Sequence, residues 1–223
     1  MKKHALLKLL LAALFFCLGD LIVCAAEPDL HRIKELTELA EKSDGPSQLK
    51  LALVYDEASN SPMAALWYEK AAGKGYVEAA ARLGIMLIKG DGVPQDTSKA
   101  LKWFRFAAES GDPVAQYHLA TCYLSGTGVS RNPAKAAQWG LAAAEQTLPD
   151  AEYMMGVLYG RGDGVPHDYV KSFEWVSMAA SHGHPQALRS LETLKGTMTA
   201  AQITRAKELT DELKTKLSTG NFR

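Results

Sequence analysis

The four tryptophans of this 223-residue chain are evenly spaced along it. They are Trp67, Trp103, Trp139 and Trp175, so each lies 36 residues from the next. A pair of alanines follows each tryptophan in the same register, and a Gly-x-Gly-Val sequence recurs in the three later units. A fixed period of this length indicates a repeat architecture, in which every unit is one small supersecondary element. The spacing therefore predicts a stack of similar units over most of the chain.

Each unit contains two helical patterns. In the second half of a unit, apolar residues recur at i, i+3, i+4, i+7 and i+8, as in Ala100, Trp103 and Ala107. The first half carries another apolar stripe of helical period, which includes Ala115 and Leu119 in the third unit. We therefore expect each unit to be a helix–turn–helix hairpin.

Capping residues mark where the second helices begin and end. An Asn or Asp that can accept the free N–H groups of a first turn precedes each of these helices. These caps are Asn60, Asp96, Asn132 and Asp168. Glycines suited to a left-handed C-terminal conformation follow three of these helices, namely Gly75, Gly111 and Gly183. The third unit has Thr147 instead, and we expect a looser helix end there.

The residue types explain why such hairpins would stack. Tryptophan is a broad apolar plate, and alanine or glycine on a neighbouring helix lets two backbones approach closely enough to bury it. One hairpin cannot cover its own apolar stripe, so neighbours must do so. We expect an all-α, right-handed α/α superhelical solenoid of helix-turn-helix repeats, with every tryptophan in the buried stripe.

The ends of the array differ from its middle. The first hairpin has a turn four residues shorter and lacks the Gly-x-Gly-Val sequence, and residues 185–195 form a last first helix without a full partner. Thr199 and Gln202 then form a capping-box pattern that begins a terminal helix. The predicted segments are a capping helix at 27–43, repeats at 44–195, and a capping helix with a tail at 196–223.

Residues 1–26 have the layout of a secretory signal peptide: a basic start, an apolar run and small residues ending at Ala26. The apolar run from Leu9 to Gly19 is shorter than the roughly 20 residues that a membrane helix needs. We expect cleavage after Ala26, export to the periplasm or the medium, and no stable membrane span afterwards. A retained membrane anchor or a lipid attached at Cys24 is the alternative.

Charge and cysteine content narrow the classes of function. The 25 Lys and Arg residues equal the 25 Asp and Glu residues, so no basic excess exists to neutralise phosphates, and nucleic acid is disfavoured as a partner. Of three cysteines, only Cys122 lies outside the leader, so an internal disulfide is not expected. A small apolar packing role is favoured for Cys122 over a reactive thiol, because no His or Lys lies beside it.

These motifs carry a family resemblance over roughly residues 46–195. Leu-Gly, Gly-x-Gly-Val, Lys-Ala, Trp and Ala-Ala occur at fixed offsets, as in ARLGIMLIKGDGVPQDTSKALKWFRFAAESGD. This pattern resembles the Sel-1-like repeat, a relative of the tetratricopeptide repeat with a longer inner turn. The resemblance implies an α/α solenoid that serves as an adaptor or scaffold for other proteins, in bacteria often secreted or periplasmic, and it implies no reaction.

No catalytic, cofactor or metal site is predicted. The glycine-rich turns lack the preceding strand and the Lys-Ser/Thr ending of a phosphate-binding loop, so turn geometry explains them better. The aspartates do not form a 12-residue calcium loop, and the histidines lack zinc spacing. Cysteine-rich members of the family are associated with penicillin binding or hydrolysis, but their paired cysteines are missing here.

A binding surface is predicted instead on the first helices, which would line the concave side if the tetratricopeptide resemblance holds. Its residues combine apolar, aromatic and cationic side chains, a mixture suited to an extended or helical peptide. They are Leu53, Ile85, Lys89, Tyr117, Thr121, Leu124, Tyr153, Val157, Arg161 and Arg189. For the two tyrosines, packing between adjacent helices is the alternative to ligand contact.

The sequence thus predicts a non-catalytic adaptor or scaffold in the bacterial envelope that binds a protein or peptide of unknown identity. The alternative is a protein directed at the cell wall, which binds or hydrolyses peptidoglycan or β-lactams. A sugar site is expected to place an exposed aromatic plate beside carboxylates, and burial of all four tryptophans would argue against one.

Overall fold

The structure, a computed structural model, describes residues 32–42 and 44–219. The predicted signal peptide at 1–26 lies outside the described residues, as do residues 27–31, 43 and 220–223 of the two predicted capping segments.

Helices dominate the part of the chain that the structure describes, and no strand occurs in it, which confirms the all-α fold. The helices are α1 (32–41), α2 (Gly45–Glu57), α3 (Ser61–Gly73), α4 (Val77–Lys89), α5 (Thr97–Glu109), α6 (Pro113–Ser125), α7 (Pro133–Ala144), α8 (Pro149–Arg161), α9 (Tyr169–Ser181), α10 (Ala187–Thr197) and α11 (Ala200–Thr219).

Consecutive helices pair into hairpins, and each hairpin packs on the next. Within hairpins, α2 packs on α3, α4 on α5, α6 on α7 and α8 on α9. Between hairpins, α3 packs on α4, α5 on α6, and α7 on α8, while the first helices α4 and α6 also touch. This order of contacts confirms the predicted solenoid of helix–turn–helix repeats. At the C-terminal end, α10 and α11 both pack on α9.

Side-chain caps begin the helices where the sequence predicts them. The caps of α3, α5, α7 and α9 each accept a backbone N–H from the first helical turn. They are Asn60, Asp96, Asn132 and Asp168. The predicted capping box of α11 is also present: Thr199 N donates to Gln202 Oε1 over 2.9 Å, and Gln202 N donates to Thr199 Oγ1 over 3.3 Å.

The last first helix differs from its prediction. The sequence predicts a helix over 185–195, but α10 spans Ala187–Thr197. A hydrogen bond from Ala187 N to His184 O closes a turn where the first helical turn was expected, so the helix begins later. Gly196, which was expected to follow the helix, lies within it.

The Gly-x-Gly-Val turns rest on the beginning of the second helix of the preceding hairpin. Gly164 has φ +75°, and a Cβ there would lie 2.1 Å from the carbonyl oxygen of Pro133. In the same way, a Cβ on Gly92 would lie 2.3 Å from the carbonyl carbon of Ser61. Positive φ together with this close backbone approach requires glycine. The recurring glycines therefore serve turn geometry, as predicted, and they also allow the close stacking of hairpins.

The four tryptophans are not equally buried, which corrects the expectation that all would be. Trp67 and Trp175 are 3% and 6% exposed, whereas Trp103 and Trp139 are only partly buried. The Nζ atom of Lys70 lies 3.8 Å from the centroid of the Trp67 ring and covers it. The residue 36 positions later is Phe106, which meets Trp103 edge-on with centroids 6.3 Å apart. Trp103 therefore keeps part of its surface open.

We expect Trp67→Ala to lower the free energy of unfolding by about 3–5 kcal/mol, because it removes a large side chain from a packed interior. Trp103→Ala, the matched variant one repeat later, should cause a smaller loss because its indole is already partly in water. Urea denaturation followed by circular dichroism measures both. Equal losses of unfolding free energy in the two variants would contradict the difference in burial between Trp67 and Trp103.

Candidate binding surface

The ten predicted residues all lie on the first helices α2, α4, α6, α8 and α10, and we call the surface that they define the first-helix face. The 36-residue period puts equivalent residues of successive helices in rows across this face. One row contains Tyr117, Tyr153 and Arg189, and the next contains Ile85, Thr121 and Val157. A ligand lying across the stack would therefore meet one residue of each row in every repeat.

The structure brings half of the predicted residues together around one cavity of about 410 Å³, here called the α6–α8 cavity. These are Tyr117, Leu124, Tyr153, Val157 and Arg161. The other residues around it are Arg131, Asp150, Met154, Leu158, Asp163, His184 and Gln186. The cavity thus combines apolar side chains with charged groups, as the sequence suggests for a peptide groove.

A second cavity of about 300 Å³ adjoins the first and lies between α8, α9 and α10, and we call it the α8–α10 cavity. Both cavities are lined by Tyr153, Val157 and Arg161, so α8 is their common wall. The remaining lining is mostly small or aliphatic and consists of Gly156, Gly160, Ser172, Val176, Ser190, Thr193 and Leu194. Together the two cavities form one groove across three successive first helices.

The other five predicted residues do not line this groove. Leu53 and Ile85 are partly buried and pack against the hydrophobic core. Thr121 is exposed, and its hydroxyl donates to the Tyr117 carbonyl over 3.0 Å. Lys89 and Arg189 are exposed on α4 and α10. Half of the predicted surface is therefore a shared groove, and the other half is scattered on the same helices.

Tyr153 both packs between helices and lines the groove, so the two alternatives raised by the sequence are compatible. Its hydroxyl lies 2.9 Å from Ser190 Oγ on α10. Its ring stacks on that of His184, with centroids 4.1 Å apart and planes 16° from parallel. These contacts hold the tyrosine in one orientation, which lowers the entropy lost when a ligand contacts it. Tyr117 is likewise partly buried and lines the α6–α8 cavity.

The sequence did not predict two contacts between charged or imidazole side chains that line the groove. Arg131 lies 3.6 Å from Asp163, and these residues belong to the inner turns of successive hairpins. The His184 Nε2 atom lies 3.5 Å from Asp150 Oδ1. No local motif joins the members of either pair: Arg131 and Asp163 meet only when successive hairpins stack, and Asp150 and His184 meet only when α8 and α9 fold into one hairpin. Their common signal is a separation of 32–34 residues, close to one repeat.

A polar pair joins the first helix of a hairpin to the end of its second helix, and its chemistry differs between two successive hairpins. Gln146 Nε2 donates to Gln116 Oε1 over 2.9 Å. The residues 36 positions later are His182 and Glu152, and His182 Nδ1 lies 2.9 Å from both carboxylate oxygens. Glu152 is fully buried. Burial raises the pKa of Glu152 above its ordinary 4.5, and the hydrogen bond from His182 opposes the rise only in part.

Cys122 is buried, and burial raises the pKa of its thiol. Both properties match those of a packing residue and oppose thiolate formation. Over residues 32–42 and 44–219, no group of three or more His, Cys, Asp or Glu side chains is placed to hold a metal ion. The helices of this same part are all too short or too polar to cross a bilayer.

A stack of helical hairpins with an open groove on its first helices defines an α-helical repeat protein. The Sel1 repeat family model matches residues 46–76, 77–112, 113–148 and 149–184, which together exceed half of the sequence. The chain belongs to the Sel1 repeat family, whose members generally mediate protein–protein interactions. No curated protein matches the chain.

Two solved structures are similar to the chain along most of its length. One is a protective antigen of uropathogenic Escherichia coli displaying an SLR fold, with 30% identity and a TM-score of 0.79 over 86% of this chain and 42% of that one. The other is a Sel1 repeat protein from Oxalobacter formigenes, with 28% identity and a TM-score of 0.67 over 71% of this chain and 65% of that one. The chain therefore spans less than two thirds of either protein.

Glu152→Gln should remove a pH dependence of stability. Because the pKa of Glu152 is higher in the folded than in the unfolded chain, the protonated form stabilises the fold. This contribution is present below about pH 4.5 and is lost as the pH rises through the raised pKa. Urea denaturation between pH 4 and 8 should therefore show the wild type losing stability relative to Glu152→Gln as the pH rises.

Gln116→Glu is the matched control, since it places a carboxyl group at the equivalent position one repeat earlier. This variant should acquire a similar loss of stability with rising pH. If the free energies of unfolding of the wild type and Glu152→Gln change in parallel with pH, the raised pKa of Glu152 is contradicted.

Proposed function

We propose that the protein is a non-catalytic adaptor or scaffold of the bacterial envelope, which binds a protein or peptide partner on the first-helix face as the concave face of the solenoid. The observation that carries the proposal is the groove itself, in which two cavities share Tyr153, Val157 and Arg161 across α6, α8 and α10. Its length spans several repeats, which suits a chain-like ligand better than a compact one.

The chemistry of the groove supports peptide recognition. Aliphatic side chains such as Val157 and Leu124 offer apolar contact, while Arg161 and Gln186 offer hydrogen-bond donors at the same site. These side chains stand on helices whose backbone groups are already bonded, so binding requires little ordering of the protein. An extended or helical segment can therefore use apolar anchors for affinity and polar groups for register.

Export from the cytoplasm is part of the proposal, and it is supported by the predicted signal peptide. The basic, apolar and small-residue sections of residues 1–26 are those of a secretory signal. The relative with 30% identity is described as a protective antigen, which fits a protein that leaves the cytoplasm. Fractionation of producing cells tests this part: the chain should occur outside the cytoplasm, with its N-terminus at residue 27.

The cell-wall alternative gains one observation from the structure. Trp103, expected to be buried, instead lines a surface cavity of about 520 Å³ together with Phe106 and Asp96. An aromatic plate beside a carboxylate is the arrangement that the sequence analysis required of a sugar site. This surface lies on α5, a second helix, and so is distinct from the groove.

The two functions can be separated with the purified chain. Incubation with soluble peptidoglycan fragments or a chromogenic β-lactam should give no turnover. The amount of peptidoglycan fragment that the chain retains should be the same for the wild type and Trp103→Ala. Turnover, or retention that is lost in Trp103→Ala, would replace the adaptor proposal with the cell-wall function.

In-cell photocrosslinking tests the adaptor function directly. A crosslinking amino acid at position 85, 121 or 157 samples one row of the first-helix face, in three successive repeats. Matched controls at positions 66, 102 and 138 are also 36 residues apart and lie exposed on the second helices α3, α5 and α7. We expect a discrete adduct from positions 121 and 157, a weaker one from 85, and none from the controls.

The captured species should then bind the purified wild-type chain and fail to bind Tyr153→Glu. Adducts formed only from the second-helix positions would show that the partner uses the other side of the stack, and the first-helix face would be the wrong assignment.

A further inference from the structure

The α8–α10 cavity arises where one repeat lacks a side chain that the preceding repeats carry. The position occupied by Ile88 in α4 and Leu124 in α6 is occupied by Gly160 in α8. Both aliphatic side chains are partly buried, and Leu124 lines the α6–α8 cavity. Gly160 instead lines the α8–α10 cavity, where such a side chain would otherwise extend.

The backbone does not require glycine at this position. Gly160 lies within α8 and does not have a positive φ. A Cβ there would lie 3.7 Å from Ser172 Cβ and 3.0 Å from Ser172 Oγ, a buried hydroxyl that donates to the Gly156 carbonyl over 2.7 Å, so an added methyl group needs only a small shift of this one side chain. By contrast, a Cβ on Gly156 would lie 2.4 Å from Val176 Cγ2, so Gly156 is needed for helix packing. Glycine inside a helix lowers stability by about 1 kcal/mol relative to alanine, so helix propensity does not explain Gly160.

One cation of the groove, Arg161, lies next to this space without an ion-pair partner in the part of the chain that the structure describes. The carboxylates of Asp150 and Asp163 each lie within 3.6 Å of a cationic or imidazole nitrogen, from His184 and Arg131 respectively. Arg161 lines both cavities and is exposed, and no hydrogen bond or ion pair engages its guanidinium among residues 32–42 and 44–219. One positive charge is therefore available at the wall that the two cavities share.

We propose that the partner is an acidic peptide segment, which places an apolar side chain in the cavity beside Gly160 and a neighbouring carboxylate on Arg161. The inference rests on the proposed function, since it assumes that the groove binds a peptide. A volume of about 300 Å³ is at the lower end of the range for ligand pockets and suits one aliphatic or aromatic side chain. A planar guanidinium can bind a carboxylate through two parallel hydrogen bonds, which fixes the register of the peptide.

The chain offers a matched control for each residue. Gly196 lies 36 residues after Gly160, is also the penultimate residue of its helix, and has nothing within 4 Å of an added Cβ. Arg105 is an exposed cation on the second helix α5 that lines neither cavity. Gly196→Leu and Arg105→Glu therefore repeat the two changes outside the proposed site.

The probe is a phage-displayed library of random 12-residue peptides selected on the purified full chain. We expect enrichment of peptides in which Asp or Glu lies within two positions of Leu, Ile, Met or Phe. The dissociation constant of a synthetic enriched peptide, measured by calorimetry, should rise at least tenfold for Arg161→Glu and Gly160→Leu. It should change less than twofold for the two control variants.

A charge swap makes the test specific. The same peptide with its acidic residue replaced by lysine should bind Arg161→Glu more tightly than it binds the wild type. Circular dichroism checks that each variant is folded. If Gly160→Leu does not fold, Gly160→Ala adds a single methyl group at the same place and should still weaken binding.

The outcomes distinguish this inference from the proposed function. Peptides that bind the wild type, lose binding in Tyr153→Glu, and keep it in Arg161→Glu and Gly160→Ala would overturn the acidic partner and leave the groove as the binding surface. An unenriched library, or peptides whose binding is unaffected by Tyr153→Glu, would overturn both.

Discussion

The packing of each hairpin on the next is the interaction on which the rest of this structure depends. Alanine stripes and the Gly-x-Gly-Val turns bring successive backbones so close that a single Cβ on Gly164 would overlap the carbonyl of Pro133. Such contacts leave little freedom in how neighbouring hairpins are placed. Rows of equivalent residues on the first helices follow from that placement, and the groove follows from the rows.

Because the scaffold repeats, its chemistry lies in the positions where one repeat departs from the others. Gly160 replaces the aliphatic residue found at Leu124 and opens the second cavity. Glu152 and His182 replace the amide pair Gln116 and Gln146, so the α8–α9 hairpin contains a buried carboxyl group where the preceding hairpin has an amide. In each case the helix is kept, and a change of side chain gives one repeat a cavity or a buried carboxyl group that the preceding repeat lacks.

The tryptophans show how far equivalence between repeats extends. The 36-residue spacing predicts the same environment for all four, yet Trp67 is covered by Lys70 while Trp103 lines a surface cavity. The difference comes from the residue three positions after the tryptophan, which is Lys70 in one repeat and Phe106 in the next. Burial of a large side chain thus depends on its neighbours in space, which the period alone does not specify.

The sequence by itself determined the helical hairpins, their caps and their order, because helix periodicity, capping and turn preferences act over a few residues. It also located the helices of the groove, and half of the ten residues that it predicted line that groove. Only the tertiary structure decided which residues share a cavity, since Arg131 and Asp163 belong to separate hairpins, and Tyr153 and His184 belong to separate segments of one hairpin. Their distances depend on how helices and hairpins dock, which is the sum of many weak contacts rather than the property of any short segment.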